Sequence, residues 1–240
     1  MATPVLDDEN FVVPPAVGYG WEPGGIGWLR ANVARFSSGP AHERRRKLTL
    51  AELSRVDVEA VRAAAVELAR GESDVDVVAR VVPVTVLAAA LGVPDAPVDS
   101  VADVAAVYLT GASGGPEVQD ALDALVHACG GVPDDRTATV IGLLVQTYAA
   151  TATLIGSAAA TGAASGDSAV AQALRDTPPV RGTRRMAVAD TRLDGRPVTA
   201  GTVVPVDLTT MPFGAGPHEC PGADLAVAIA AGVVDALLSG

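Results

Sequence analysis

Between Arg136 and Asp167 the chain carries no charged side chain. A run of that length either crosses a bilayer or forms the interior of a protein. Its strongly apolar members are few: Val140, Ile141, Leu143, Leu144, Val145, Leu154 and Ile155. The remainder is mostly Ala, Gly, Thr and Ser, with Gln146 and Tyr148. That mixture reads as a long helix buried inside a protein rather than a membrane span. A chain of 240 residues, 49% hydrophobic and 19% charged, can build a core around such a helix. Aromatics are only 3%, so Ala, Val, Leu and Gly must supply the packing. The formal charge, 17 − 28 = −11, disfavours nucleic acid as a partner. Two cysteines, Cys129 and Cys220, are too few for a disulfide scaffold, and Met1–Pro4 lacks the basic start of an export signal. A cytoplasmic location is expected.

The pattern predicts a mainly α fold with a small late β-sheet. Residues 1–27 read as an irregular Pro/Gly-rich lead-in, and 28–240 as a single domain. Helices are expected at Trp28–Phe36, from Gly39 through Lys47, at Asp57–Arg70 with Asp57 as N-cap, and at Asp74–Leu91. Others fit Ala102–Thr110, Pro116–Ala128, the uncharged run after Asp135, Ser168–Arg175 and Asp224–Leu238. Arg185–Asp190, Arg192–Leu193 and Val203–Leu208 read as strands, with Asp194-Gly195 and Ala200-Gly201 as turns.

The segment that carries chemistry is Phe213-Gly214-Ala215-Gly216-Pro217-His218-Glu219-Cys220-Pro221-Gly222. Its glycines let backbone turn sharply and approach a flat ligand. Cys220 stands just before an apolar helix, where loop N–H groups and the helix dipole favour a thiolate. Such a thiolate suits heme iron as an axial ligand. The decapeptide resembles the cysteine-ligand loop of the cytochromes P-450, Phe-Gly-x-Gly-x-His-x-Cys-x-Gly. The resemblance is collinear over most of residues 28–240. Ala41–Leu48 is similar to that family's C helix, Asp74–Pro94 to its E helix, Val140–Gly156 to its I helix, and Ala173–Arg185 to its K helix and following strand. It implies a shortened fold of that kind with heme b as cofactor, Cys220 on the iron, and Phe213 and Gly216 as cofactor-binding residues of the loop. His42 and Arg46 share a helix face. By the same resemblance they hold a heme propionate, with Arg185 and His218 as further propionate contacts. Arg44, Arg45 and Lys47 read as a solvated basic face.

The departures are as telling. The lid region between Leu91 and Arg136 is compressed, and Thr209–Pro212 leads straight into Phe213. In the resemblance, Ala149 stands for the acid and Ala150 for the alcohol that deliver protons to iron-bound dioxygen; neither can relay one. Thr151 is about 100° further around the helix and is expected to point elsewhere. Gln146, Thr147, Tyr148 and Thr151 are the polar candidates for catalysis, against packing with side chains bonded to the preceding turn. Gln172 replaces the K-helix acid, so Arg175 must be exposed or paired with Asp176, because an unpaired buried guanidinium costs several kcal/mol. No Lys or Arg follows Arg196, which makes an acidic redox partner doubtful.

The expectation is therefore a heme-thiolate tailoring enzyme of specialised metabolism. It would act on a small apolar substrate by redox-neutral cyclisation or rearrangement, or by peroxide-driven oxidation. The alternatives are a residual monooxygenase and a non-catalytic, heme-free auxiliary protein. A mean hydropathy of +0.34 suits a homo-oligomer or a partner biosynthetic enzyme. A hydrolase reading rests on Gly111-Ala112-Ser113-Gly114-Gly115, but a nucleophile elbow needs a strand before it, and a surface loop accounts for this stretch better.

Overall fold

The computed structural model describes residues 3–15 and 22–239. Ten helices and two small antiparallel sheets are present among them. The uncharged run forms α8 (Asp135–Ala159), started by Asp134, whose carboxylate accepts the Thr137 N–H at 2.8 Å. This helix is long and apolar enough to cross a membrane. Here it is the centre of the main core, against α5 (Val75–Ala90), α6 (Val98–Tyr108), α9 (Gly166–Asp176) and α10 (Ala223–Ser239). Ile141, Leu144 and Ile155 have no solvent exposure. Small residues let these helices approach closely. A Cβ on Gly166 would lie 2.1 Å from the Ala231 carbonyl oxygen of α10, and one on Gly232 would lie 2.7 Å from the Arg62 carbonyl oxygen of α4 (Val58–Ala69).

The expected cap at Asp57 holds, and Asp74 caps α5 in the same way. Asp57 accepts the Glu59 and Ala60 N–H groups, and Asp74 those of Asp76 and Val77. Helices α3 (Gly39–Leu53) and α7 (Pro116–Ala128) both begin with Pro in the first turn, where a missing N–H is harmless. Helix α6 starts at Val98, one turn ahead of the expected Ala102. The single helix expected at Trp28–Phe36 is instead α2 (Ile26–Ala31) and a separate 3-10 turn, Ala34–Phe36. Asn32 closes α2 by bonding its side chain back to the Trp28 carbonyl at 2.9 Å.

The lead-in is not irregular where it is described. Thr3–Asp7 forms α1 and Phe11–Val12 forms β1, while residues 16–21 lie outside the described part of the chain. Strand β1 pairs with β2 (Gly182–Ala187), which pairs in turn with β5 (Val203–Asp207), so the sheet order is β1-β2-β5. The late sheet thus recruits an early strand. Val5, Leu6 and Phe11 pack with Ala187, Val204, Val206 and Leu208 in a second, small core. The chain between holds a hairpin, β3 (Thr191–Leu193) with β4 (Arg196–Val198). Asp194 and Gly195 both adopt positive φ (50° and 78°), as a tight two-residue turn requires.

Candidate functional site

One cavity, about 610 Å3, lies between α8, α3, the β2 strand and the loop that carries Cys220. That volume is ample for a cofactor or a small substrate. Helix α8 supplies one wall through Thr139, Gly142, Leu143, Gln146, Thr147, Ala150, Thr151 and Leu154, the three-and-four spacing of a single helix face. Phe213, Gly214, Ala215, His218, Cys220, Pro221 and Gly222 form the opposite side.

The loop holds its shape through its own backbone. The Cys220 N–H donates to the Phe213 carbonyl at 2.8 Å, and the Gly214 N–H to Met211 at 2.8 Å. Gly216 does not line the cavity. It adopts φ +69° on the far side of the loop, where a Cβ would strike Leu6 and Asp7 of α1. The lead-in segment therefore braces the cysteine loop. Cys220 is solvent-accessible, yet enough protein surrounds its sulfur that desolvation raises the thiol's pKa. The Gly222 N–H, Arg46 and Arg35 oppose that rise, and Glu219 adds to it.

The cation set converges. Arg46 donates to the Glu219 carbonyl, tying α3 to the cysteine loop. The His42 and His218 rings stack with centroids 3.9 Å apart and planes at 36°. Burial lowers the pKa of His42, helped by Arg46 and Arg185 and opposed by Glu43. His218 is lowered to about 3, by burial first and then by His42, Arg185, Arg46 and Arg35. Arg185 is 4% exposed, bonds among the described residues to Thr183 Oγ1 and the Arg184 carbonyl alone, and has its pKa lowered by burial and by Arg35. Among the described residues, no carboxylate pairs with Arg46 or Arg185. Among the described residues, five arginines and two histidines line the cavity and no Asp or Glu does, in a chain of net charge −11. His42 Nε2 is buried without a hydrogen-bond partner among the described residues. This donor set suits a ligand that brings its own carboxylates, which the heme propionates would do, and Gly214 and Gly222 present bare backbone to a flat face. The residues present fit heme b.

The four polar candidates on α8 divide. Gln146, Thr147 and Thr151 line the cavity; Tyr148 does not, and packs against the main core instead. Gln146 bonds back to the Gly142 carbonyl at 2.7 Å. Thr151 does not point elsewhere: it lines the cavity beside Ala150, because neighbouring positions share a wide helix face. Ala149 is exposed and outside the cavity. Arg44 and Lys47 are solvent-exposed and Arg45 is partly so, and Arg175 is exposed as expected. Ser113 sits in an exposed loop between two helices, with no strand before it. Arg35, Phe36 and Tyr108 also line the cavity and escaped the sequence reading. In a chain with three Phe and three Tyr, their scarcity was the signal.

The geometry has solved counterparts. A cytochrome P-450 BioI bound to acyl carrier protein carrying hexadec-9Z-enoic acid aligns over 99% of this chain and 83% of its own, with TM-score 0.76 and 17% identity. The fold is that of the cytochromes P-450, in shortened form. A thermophilic cytochrome P-450 from Sulfolobus tokodaii aligns over 99% of this chain and 84% of its own, with TM-score 0.73 and 20% identity. A mutant of P-450 EryK in complex with erythromycin B covers 99% and 80%, with TM-score 0.69 and 19% identity. No family model and no curated protein matches the chain. At such identities the P-450 likeness is one of fold, and the chemistry must be argued from the cavity.

Proposed function

We propose that the chain is a heme-thiolate protein that does not perform ordinary dioxygen-activating monooxygenation. The observation that carries the heme reading is the cavity lined by five arginines, two histidines and no acid, with Cys220 among the opposing residues. Cys220 would ligate the iron, and the Gly222 N–H would hold its sulfur in the thiolate form. His42, Arg46, Arg185 and His218 would receive the propionates. Loading would give the two guanidiniums the carboxylates that the chain withholds, and the two rings, neutral without them, an acceptor for their N–H groups. Bound there, the heme would supply a Lewis-acidic or peroxide-oxidisable iron.

What this chain's own residues do narrows the reaction. Ala150 offers no proton at the cavity wall, and Ala149 faces away from it. Gln146 spends its amide on Gly142 and keeps its carbonyl oxygen for orienting a ligand. The Thr147 and Thr151 hydroxyls are the remaining polar groups of α8 near its middle. Apart from Thr139, whose hydroxyl donates to the Asp135 carbonyl, the rest of that face is apolar. Such a wall orients a substrate more readily than it delivers protons, which supports a redox-neutral rearrangement or peroxide-driven oxidation in specialised metabolism.

The test is an absorption spectrum of the heme-supplemented protein and of its reduced carbon monoxide adduct. A strongly red-shifted Soret band that disappears in Cys220→Ala is expected. Protein that takes up no heme would overturn the reading in favour of a heme-free partner protein. Turnover that needs NADPH and a reductase would overturn the non-oxygenating part.

A further inference from the structure

Tyr108, at the C-terminal end of α6, is 1% exposed, lines the cavity, and has a hydroxyl with no partner among the described residues. Its ring is fixed edge-on against Phe36, with centroids 5.0 Å apart, so the hydroxyl's place is set by packing rather than by a hydrogen bond. Burial raises its pKa, which keeps the phenol protonated and able to donate. A buried donor left unmatched is costly, and a ligand that brings an acceptor removes the cost. Arg35 lines the same cavity, and its charge acts on Tyr108 on one side and on His218 and Cys220 on the other. No carboxylate pairs with it among the described residues. Val33, Phe36, Leu109, Leu143 and Leu154 supply apolar wall nearby.

We infer that the substrate is an amphipathic carboxylic acid, with its carboxylate received by the Tyr108 hydroxyl and the Arg35 guanidinium and its apolar body laid along α8. The charge account supports an acid over a neutral carbonyl compound. Beyond Arg46 and Arg185, which the heme reading gives to the propionates, Arg30, Arg35 and Arg184 line the cavity and among the described residues no carboxylate does, so a negative ligand is drawn in and a cationic one repelled. A Tyr beside an Arg presents one directional donor and one planar donor fork, which together match a carboxylate's two oxygens. This deepens the reading above and rests on it for the end of the substrate that would face the heme.

The experiment is calorimetric titration of the heme-supplemented protein with octanoate, methyl octanoate and octan-1-ol at pH 8. Octanoate is expected to bind at least tenfold more tightly than the other two. Tyr108→Phe, which deletes only an unpartnered oxygen, and Arg35→Gln are each expected to remove most of that advantage. Equal affinity for the three probes overturns the inference, as does failure of all three to bind. An acid preference that survives both substitutions also overturns it, and so does an Arg35→Gln effect on heme uptake with no effect on acid preference. Heme uptake is read separately from the Soret band. A chain that takes no heme but still discriminates the acid through Tyr108 and Arg35 removes the heme reading and leaves the acid site standing.

Discussion

At the corner where α4, α9 and α10 meet, Arg62 is matched by two carboxylates. Along the cavity, Arg46 and Arg185 are matched by none among the described residues. Arg62 bonds to both oxygens of Asp167, at 2.9 and 3.0 Å, and to Asp235 at 2.8 Å. Asp235 also receives the Gly166 N–H at 2.7 Å. The hydrogen bonds from Asp167 and Asp235 raise the pKa of Arg62, whereas burial and Arg35 lower that of Arg185. The corner is complete in the chain alone. The cavity is complete only with something added, and the two make a matched experiment inside one molecule.

The largest expected effect tests the corner. Gly166→Ala drives a Cβ against the rigid Ala231 carbonyl and pushes apart the helices that hold Arg62, Asp167 and Asp235. A loss of about 3 kcal/mol is expected, which is roughly 6–12 °C in Tm for a chain of this size. Thermal unfolding of the cofactor-free protein measures it. A change under ~1 kcal/mol would mean the helices are not packed this closely.

Next comes the contrast itself. Arg62→Ala strips two carboxylates of their shared partner and should cost about 1 kcal/mol, modest because Asp167 is largely solvated. Arg185→Met removes a buried charge that has no ion partner, so the cofactor-free protein should lose nothing or gain up to about 2 kcal/mol. The same variant should bind heme at least tenfold more weakly, about 1.4 kcal/mol. Equal destabilisation by both substitutions without cofactor would erase the distinction between the two regions.

A smaller effect appears with pH. Arg46 on α3, Arg185 on β2 and His218 on the loop all face His42, with Glu43 opposing them. The folded-state pKa of His42 lies below its ordinary value, so the unfolded chain takes up the proton first as pH falls. The stability this group contributes is present above pH 6.5 and is lost as pH drops below it. Each pH unit in that window costs at most about 1.4 kcal/mol. The melting temperature should fall from pH 7 to pH 5 in the wild type, fall less in His42→Gln, where His218 still contributes, and fall less again with heme bound, because propionates stabilise the charged rings. A wild-type slope that heme leaves unchanged would argue that no anion reaches these rings.

What the sequence discloses follows the same division. Helix starts were legible at Asp57, Asp74 and Asp134, where a side chain caps and the signal is local, but not at Ser165, which caps α9 ahead of the expected start at Ser168. The cysteine loop and the His42, Arg46 and Arg185 set were legible because each stands at a marked position in a motif. Tyr148 and Thr151 were misplaced because adjacent residues on a helix differ by a rotation that only the packing of α8 resolves. The strand at Phe11–Val12 was missed because two residues beside prolines carry no period, and their pairing with Met186 and Ala187 spans most of the chain. Tyr108 and Arg35 come together only when α6 folds over the turn before α3. No spacing announces that.

The last prediction leaves stability untouched and separates the two cysteines. Cys129 closes α7 against the main core, and burial pushes its thiol up to about 11. At pH 8 it should be inert, because the thiolate is the nucleophile. Cys220 is also raised by desolvation, yet it is exposed and has the Gly222 N–H, Arg46 and Arg35 working for the thiolate. Iodoacetamide at pH 8, followed by peptide mass spectrometry, should therefore alkylate Cys220 several-fold before Cys129 in the cofactor-free protein. Heme should protect Cys220 alone. Equal labelling of the two would mean that the loop gives its sulfur no help, and the cavity would then differ from the corner only in lacking carboxylates.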